Sequence, residues 1–348
     1  MGITKSVQKL VAYTPGEQPK CRGVVKLNTN ENPYPPSPKC LEVLRNFDLE
    51  YLRKYPDPVF IKLREAIAKR FKTTIEKVFV GNGSDEILAL AAKAFVENDE
   101  SIGSLDPSYS LYKTLADIRD VPWGGFDLAS LSRTSRAART SSPSLFLLTN
   151  PNAPTGMMKG PSEIEDFAAK FKGVVIVDEA YADFASENCM HLATKEGNEN
   201  LIVMRTFSKS FSLAGLRVGY CVGPEKLIEA MYKVKDSYNV DALAQAIALV
   251  AFKDYSYMRS NVKKVVAERE KLTAALVSRG WDVLPSETNF IFAKPPEGQN
   301  AADIFAALKE KKIFVRYFPG PKTGERLRIT IGTPEQMAKL IKALSSFH

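Results

Sequence analysis

Lys209 sits between two serines in TFSKSFSLAGLRVGY, residues 206–220, and Arg217 follows within the same stretch. Two cations so close repel unless an anion lies between them, and such a neighbour disfavours the charged form of a lysine. A lysine depressed in this way is a nucleophile. The other residues able to do chemistry fall at the ends of apolar runs. KVFVGNGSDE leads into Ser84 and Asp85, and SIGSLDPSYSLY carries Tyr109. SLFLLTNPNAPTG carries Asn150 and Asn152, GVVIVDEAY ends in Asp178 and Tyr181, and LIVMRTFSKS ends in Ser208 and Lys209. A helix opening at Ser84 presents unsatisfied backbone N–H groups that suit a phosphate. Alone, the same residues would serve as an ordinary helix cap. Ser208 and Arg217 could close the other side of such a phosphate, the arginine bidentately. Asp178 ends a nearly all-apolar strand, where an isolated carboxylate is costly. A protonated ring nitrogen would relieve it.

Bringing these residues to one place requires strands that run the same way. Ligands of open parallel sheets sit beyond the carboxyl ends of the strands. Apolar runs alternate here with helical stretches such as KLREAIAKRF and SDEILALAAKAFV. That alternation predicts a parallel sheet covered on both faces. From about residue 225 the chain turns more helical, with one long helix through YMRSNVKKVVAEREKLTAALVSRG. A smaller α/β unit follows, with strands near TNFIFAK and RLRITIG. The prolines of LNTNENPYPPSP exclude regular structure there. The expected organisation is an N-terminal arm over 1–38, a large domain over 39–240 and a small domain over 241–348. A phosphate cradle, a reactive lysine and a buried acid at one sheet end together meet the needs of pyridoxal 5′-phosphate.

Composition narrows the alternatives. The 348 residues exceed what one core commonly serves. A 45% hydrophobic, 25% charged chain is of ordinary globular type. The net charge of +8 favours anionic partners, but the basic residues are scattered, which suits small anions better than nucleic acid. The basic, Ser-rich stretch 130–142 reads as a solvated connector. Neither glycine-rich nucleotide signature is present. Cys21, Cys40, Cys189 and Cys221 lack paired spacing, and His191 and His348 are the only histidines. No metal centre, disulfide framework or His-based triad is expected, and a reducing cytoplasm fits. The opening MGITKSV lacks the apolar segment of a secretory signal and matches the loose myristoylation pattern, which we read as chance. No apolar run is long enough to span a bilayer, so no membrane partner is expected.

With these residues in view, the chain resembles the fold-type I pyridoxal-phosphate enzymes of the class I/II aminotransferase superfamily, and within it the histidinol-phosphate aminotransferases. NENPYPPSP, KYPDP, GNGSDEIL, NPNAPTG, DEAYADF, SKSFSLAGLRVGY and LRITIGT carry the resemblance from about residue 26 to the C-terminus. It implies an α/β fold: a large domain with a mostly parallel seven-stranded sheet between helices, plus a smaller α/β C-terminal domain. It implies that Lys209 bonds the cofactor's aldehyde carbon and shuttles the proton, and that Asp178 keeps the pyridine nitrogen protonated. Tyr181 and an asparagine, Asn152, would bond the phenolic oxygen, and Tyr109 would stack on the ring. Backbone of Ser84 and Asp85, with Ser208 and Arg217, would hold the phosphate, joined by Tyr55 from the second subunit of a homodimer with shared sites. Arg328 would bind the substrate anion, with Arg316, Tyr13 and Asn32 nearby. The residue before Pro-Thr-Gly is Ala153, where most relatives carry asparagine. The phenolic oxygen therefore keeps either Asn152 or Tyr181 alone. The implied reaction is a cytoplasmic transamination between histidinol phosphate and 2-oxoglutarate in histidine biosynthesis. Threonine-phosphate decarboxylation and aromatic transamination are the alternatives on the same scaffold. A cofactor-sensing regulator is the non-enzymatic one, and too little chain precedes the match for a winged helix.

Overall fold

The computed structural model describes residues 2–3, 5–10, 16–20, 22–127, 143–345 and 347. Tyr13 and the basic stretch 130–142 lie outside them. The strands are β1 Val25–Lys26, β2 Val78–Gly81, β3 Ile102–Leu105, β4 Trp123–Phe126, β5 Leu145–Thr149, β6 Val174–Asp178, β7 Leu201–Thr206 and β8 Gly219–Val222, then β9 Asp282–Val283, β10 Phe290–Lys294, β11 Ile313–Phe314, β12 Arg316–Tyr317 and β13 Leu327–Thr330. The large sheet has seven strands in the order β2-β8-β7-β6-β5-β3-β4. Only β8 runs against its neighbours, pairing antiparallel with both β2 and β7. The mostly parallel sheet expected from the sequence is therefore present.

Its central strands are apolar throughout because both faces are covered. Side chains alternate along a strand, and here each alternate set enters a different core. Phe146, Leu148, Val175, Val177, Leu201 and Val203 enter one core, with Leu63, Ile67, Ile164 and Phe167 from the helices Ile61–Phe71 and Pro161–Lys170. Leu145, Leu147, Ile176, Ile202 and Met204 enter the other. They meet Ile87 and Leu88 of the helix Ser84–Phe95, Tyr112 and Leu115 of Leu111–Arg119, and Ile228 and Met231 of Glu225–Val234. Fully burying a Leu, Ile or Phe contributes about 1.5–3 kcal/mol. Slipping β6 by one residue would exchange its two sets and turn Asp178 away from the cavity.

Beyond the large sheet, the helix Tyr255–Val277 runs for 23 residues and leads to a four-stranded antiparallel sheet, β12-β13-β10-β9. The strands expected near TNFIFAK and RLRITIG are β10 and β13. The segment before residue 38 does more than lead in. β1 pairs in parallel with β11, and Leu27 N–H donates to Phe314 O at 2.7 Å. Thr330 N–H in turn donates to Leu27 O at 3.0 Å, so residues 25–30 are bound to the C-terminal unit.

Candidate active site

The carboxyl ends of β3, β5, β6 and β7 open into a cavity of about 840 Å³, roofed by Arg316 and Arg328 of the small sheet and by Phe318 just after β12. Ser84, Asp85, Tyr109, Asp178, Tyr181, Ser208, Lys209 and Arg217 all line it, together with both arginines. Ser84, Asp85, Tyr109, Asp178, Tyr181, Ser208 and Lys209 come from a strand end or the segment just after it, whereas Arg217 precedes β8 and Arg316 and Arg328 lie within β12 and β13.

At one end lies the start of the helix Ser84–Phe95. Its N-cap is Gly83, whose lack of a side chain leaves the first N–H groups without a side-chain cap. Gly83 has φ +83°, and a Cβ there would stand 2.7 Å from Arg217 Nη2. A Cβ on Gly219 would stand 2.7 Å from Ser84 N. Both positions need glycine so that the arginine and the helix start can approach. Arg217 itself adopts φ +55°, costly for a residue with a side chain. Its Nη1 donates to Ser208 Oγ at 3.3 Å and its Nη2 to Asp85 Oδ2 at 3.1 Å. Tyr109 O–H also donates to Asp85, at 3.3 Å.

Asp178 lies across the cavity floor and is 4% exposed. Burial lifts its carboxyl to about 6, against bonds from Tyr112 and the Ala180 N–H that pull it down. Lys209 is pushed the other way, to about 8, by burial first and then by Arg328. Its Nζ donates to Thr29 O at 3.4 Å. Tyr181 is buried, and burial raises its phenol. Arg316 and Arg328 are direct cross-strand partners on β12 and β13. Arg328 Nη2 donates to Asn28 O at 2.8 Å, and both guanidiniums lie over the ring of Phe318.

Three expected residues do not line the cavity. Asn152 is buried between its own loop and the turn after β3, donating to Pro107 O at 3.1 Å and Thr155 Oγ1 at 2.9 Å and accepting from Ser108. Ala153 lines the wall instead. Asn32 donates to the carbonyls of Lys209 and Ser210, at 3.1 and 3.2 Å, and so fixes the lysine's backbone. Tyr55 is 80% exposed and stacks on Tyr238 with ring centres 4.3 Å apart. Two residues were missed. Asn30 donates to Tyr181 Oη at 2.9 Å and accepts from Thr330 Oγ1 at 3.0 Å. Tyr112 donates to Asp178 Oδ2 at 2.7 Å. The only sequence signal for Tyr112 was its helical spacing from Tyr109, a pattern that core residues share.

Residues 22–344 match the family model described as aminotransferase class I and II. Histidinol-phosphate aminotransferase 1 of Trichormus variabilis is 42% identical over 97% of both chains. The chain belongs to the histidinol-phosphate aminotransferase family of class I and II aminotransferases. Histidinol-phosphate aminotransferase 2 of Rhizobium meliloti is 44% identical, again over 97% of each chain. The crystal structure of the Sinorhizobium meliloti histidinol-phosphate aminotransferase in complex with pyridoxal-5′-phosphate superposes with a TM-score of 0.90. It covers 100% of this chain and 98% of that one, at 23% identity, a likeness of fold. This aminotransferase thus has the fold-type I architecture, and its cofactor is pyridoxal 5′-phosphate. The residues present fit that group. The glycine-walled helix start leaves room for a phosphate beside Arg217. The buried acid suits a protonated ring nitrogen, and the depressed lysine is a competent amine. No cluster of metal-ligating side chains occurs among the described residues.

Proposed function

We propose that this aminotransferase interconverts L-histidinol phosphate and 2-oxoglutarate with 3-(imidazol-4-yl)-2-oxopropyl phosphate and L-glutamate, a step of histidine biosynthesis. The observation that carries the reading is the cross-strand pair Arg316 and Arg328 over the cavity that holds Lys209. Two forked cations suit a phosphate dianion, and either can bind a carboxylate bidentately. One site can then accept the phosphate-bearing amine and glutamate in turn.

When bound, the cofactor supplies an electron sink that weakens the bonds at the substrate's α carbon. The rest falls to the chain. The N–H groups of Ser84 and Asp85, the Ser208 hydroxyl and Arg217 hold the phosphate. Asp178 would hold the ring nitrogen in its protonated form, and Tyr109 would pack against the ring. Tyr181, oriented by Asn30, bonds the phenolic oxygen without help from Asn152. Lys209 Nζ would take the α proton and, as the conjugate acid, would be the group that gives it back. A positioned lysine base contributes roughly 10²- to 10⁴-fold.

We assign the working form as a homodimer in the cytoplasm. Leu41, Leu44, Leu49, Tyr51, Leu52 and Tyr55 all stand exposed in one stretch, as a subunit face would. Tyr55 would then reach the partner's phosphate site. No helix among the described residues is long and apolar enough to cross a membrane, and Cys40, Cys189 and Cys221 are unbridged, which suits a reducing compartment. The division into an arm to 38, a large domain to 240 and a small domain beyond is part of the same reading.

An assay of the purified enzyme with histidinol phosphate and 2-oxoglutarate, run beside phosphothreonine and phenylalanine, tests the substrate. Glutamate formation should be fastest with histidinol phosphate. Faster turnover of phenylalanine, or release of carbon dioxide from phosphothreonine, would assign the scaffold to one of the other two reactions.

A further inference from the structure

Tyr112 reaches the cavity floor from behind and lines no part of the cavity itself. It stands in the first turn of the helix Leu111–Arg119 and has no exposed surface. Its hydroxyl lies 2.7 Å from Asp178 Oδ2 and 2.6 Å from Thr149 Oγ1. Thr149 and Asp178 are register partners on adjacent parallel strands, so one phenol reaches both. The hydroxyl has a single hydrogen, and the carboxylate only accepts. Tyr112 therefore gives its proton to Asp178, and Thr149 must give its own to the tyrosine oxygen. The directed chain therefore runs from Thr149 through Tyr112 to the acid, with Ser108 Oγ 3.1 Å from Thr149 Oγ1. The other carboxylate oxygen, Oδ1, accepts from the Ala180 N–H at 3.1 Å.

We propose that Tyr112, aimed by Thr149, is a positioning residue that keeps Asp178 ionised and locks its rotation, so that the acid is set for a cationic ring nitrogen. The inference rests on the reading of Asp178 given above. A bond to an ionised group matters here because burial by itself favours the neutral acid, which cannot hold a cation. Burial also keeps the tyrosine's own proton in place, raising its phenol well above the ordinary range. Tyr112 thus donates at every working pH and does not exchange roles with Asp178.

The test is a double-mutant cycle on the full-length enzyme with Tyr112→Phe, Asp178→Asn and the combination. It is read both as the dissociation constant for pyridoxal phosphate and as kcat and KM. Tyr112→Phe should weaken cofactor binding and lower kcat by roughly 10- to 100-fold, the loss of one hydrogen bond to a charge, with KM little changed. In the Asp178→Asn background the same substitution should cost almost nothing, because the group it serves is gone. Thr149→Ser should behave as the parent, whereas Thr149→Val should show the same coupling at smaller size. The valine variant decides the matter if Tyr112→Phe does not fold. An equal loss in both backgrounds would make Tyr112 a packing residue and overturn the proposal, as would unaltered cofactor affinity. The cofactor reading is checked apart from this. Borohydride should fix the cofactor to Lys209 in the parent enzyme, and its failure there would sink that reading before Tyr112 is examined.

Discussion

Lys209 is where the electrostatics of the site can be read in solution. At pH 7 roughly a tenth of an amine titrating near 8 is neutral, against a few parts in ten thousand for an ordinary lysine. Only the neutral amine attacks an aldehyde. Mixing cofactor-free protein with pyridoxal phosphate should give a yellow band whose rate of appearance climbs with pH and levels off above about 8. Burial is the larger cause of the depression and Arg328 the next. Arg328→Met should therefore move that midpoint upward. A midpoint that stays put would remove Arg328 from the lysine's field. The sequence made this residue legible because Lys209 and Arg217 lie in one short stretch. Asn30 and Tyr112 were not legible for the opposite reason. Asn30 meets partners 151 and 300 residues away, and Tyr112 meets an acid 66 residues away. Only the fold makes those pairs. Asn152, next to the departure at Ala153, illustrates the same limit: Pro107 and Ser108, some 45 residues earlier, take up the amide that spacing alone offered to the cavity.

At the scale of elements, the turns after the strands matter more than the strands. Gly83 and Gly219 both make room for the same approach, yet they should fail differently. An alanine at 83 is strained at φ +83° and presses on the flexible end of Arg217. Gly83→Ala should chiefly weaken the cofactor, by roughly 10-fold or more, as equilibrium dialysis would read. An alanine at 219 meets the backbone of Gly83 and Ser84 instead. It should lower stability by about 1–3 kcal/mol, seen in urea unfolding. Behind the site, β6 and β7 are joined by a buried ion cluster. Arg205 donates to Glu179 at 2.8 Å and to Asp183 at 3.2 Å, and Ser210 binds Asp183 at 2.5 Å. The cluster ties the residue after Asp178 to the residue after Lys209. Arg205→Met leaves two buried carboxylates facing each other and should cost about 3–5 kcal/mol. Adding Glu179→Gln should recover part of that loss, and no recovery would mean that packing, not charge, sets the cost. Strand ends could be read from sequence because chemistry interrupts apolar runs there. The single reversed strand, β8, could not, because its VGYCV run looks like any other buried strand.

For the whole molecule, the exposed apolar stretch from Leu41 to Tyr55 is the feature a lone chain leaves unexplained. Leu49 is 73% and Leu52 61% exposed. Sedimentation should find a dimer, and Leu49→Asp with Leu52→Asp should yield monomers that bind the cofactor more weakly. Tyr55→Phe should leave the dimer intact and weaken the cofactor alone. Monomers of unaltered cofactor affinity would separate Tyr55 from the site.

The pairing of β1 with β11, and of Asn30 with Thr330, also bears on synthesis. Asn30 and Thr330 are 300 residues apart. At roughly 5–20 residues per second, the ribosome makes the first of them on the order of 15–60 s before the second. Until then Asn30 has no threonine to orient it, and Tyr181 has no properly held amide. The large sheet can form while the chain is still growing, but catalytic competence must wait for the nascent C-terminus to fold back onto the beginning.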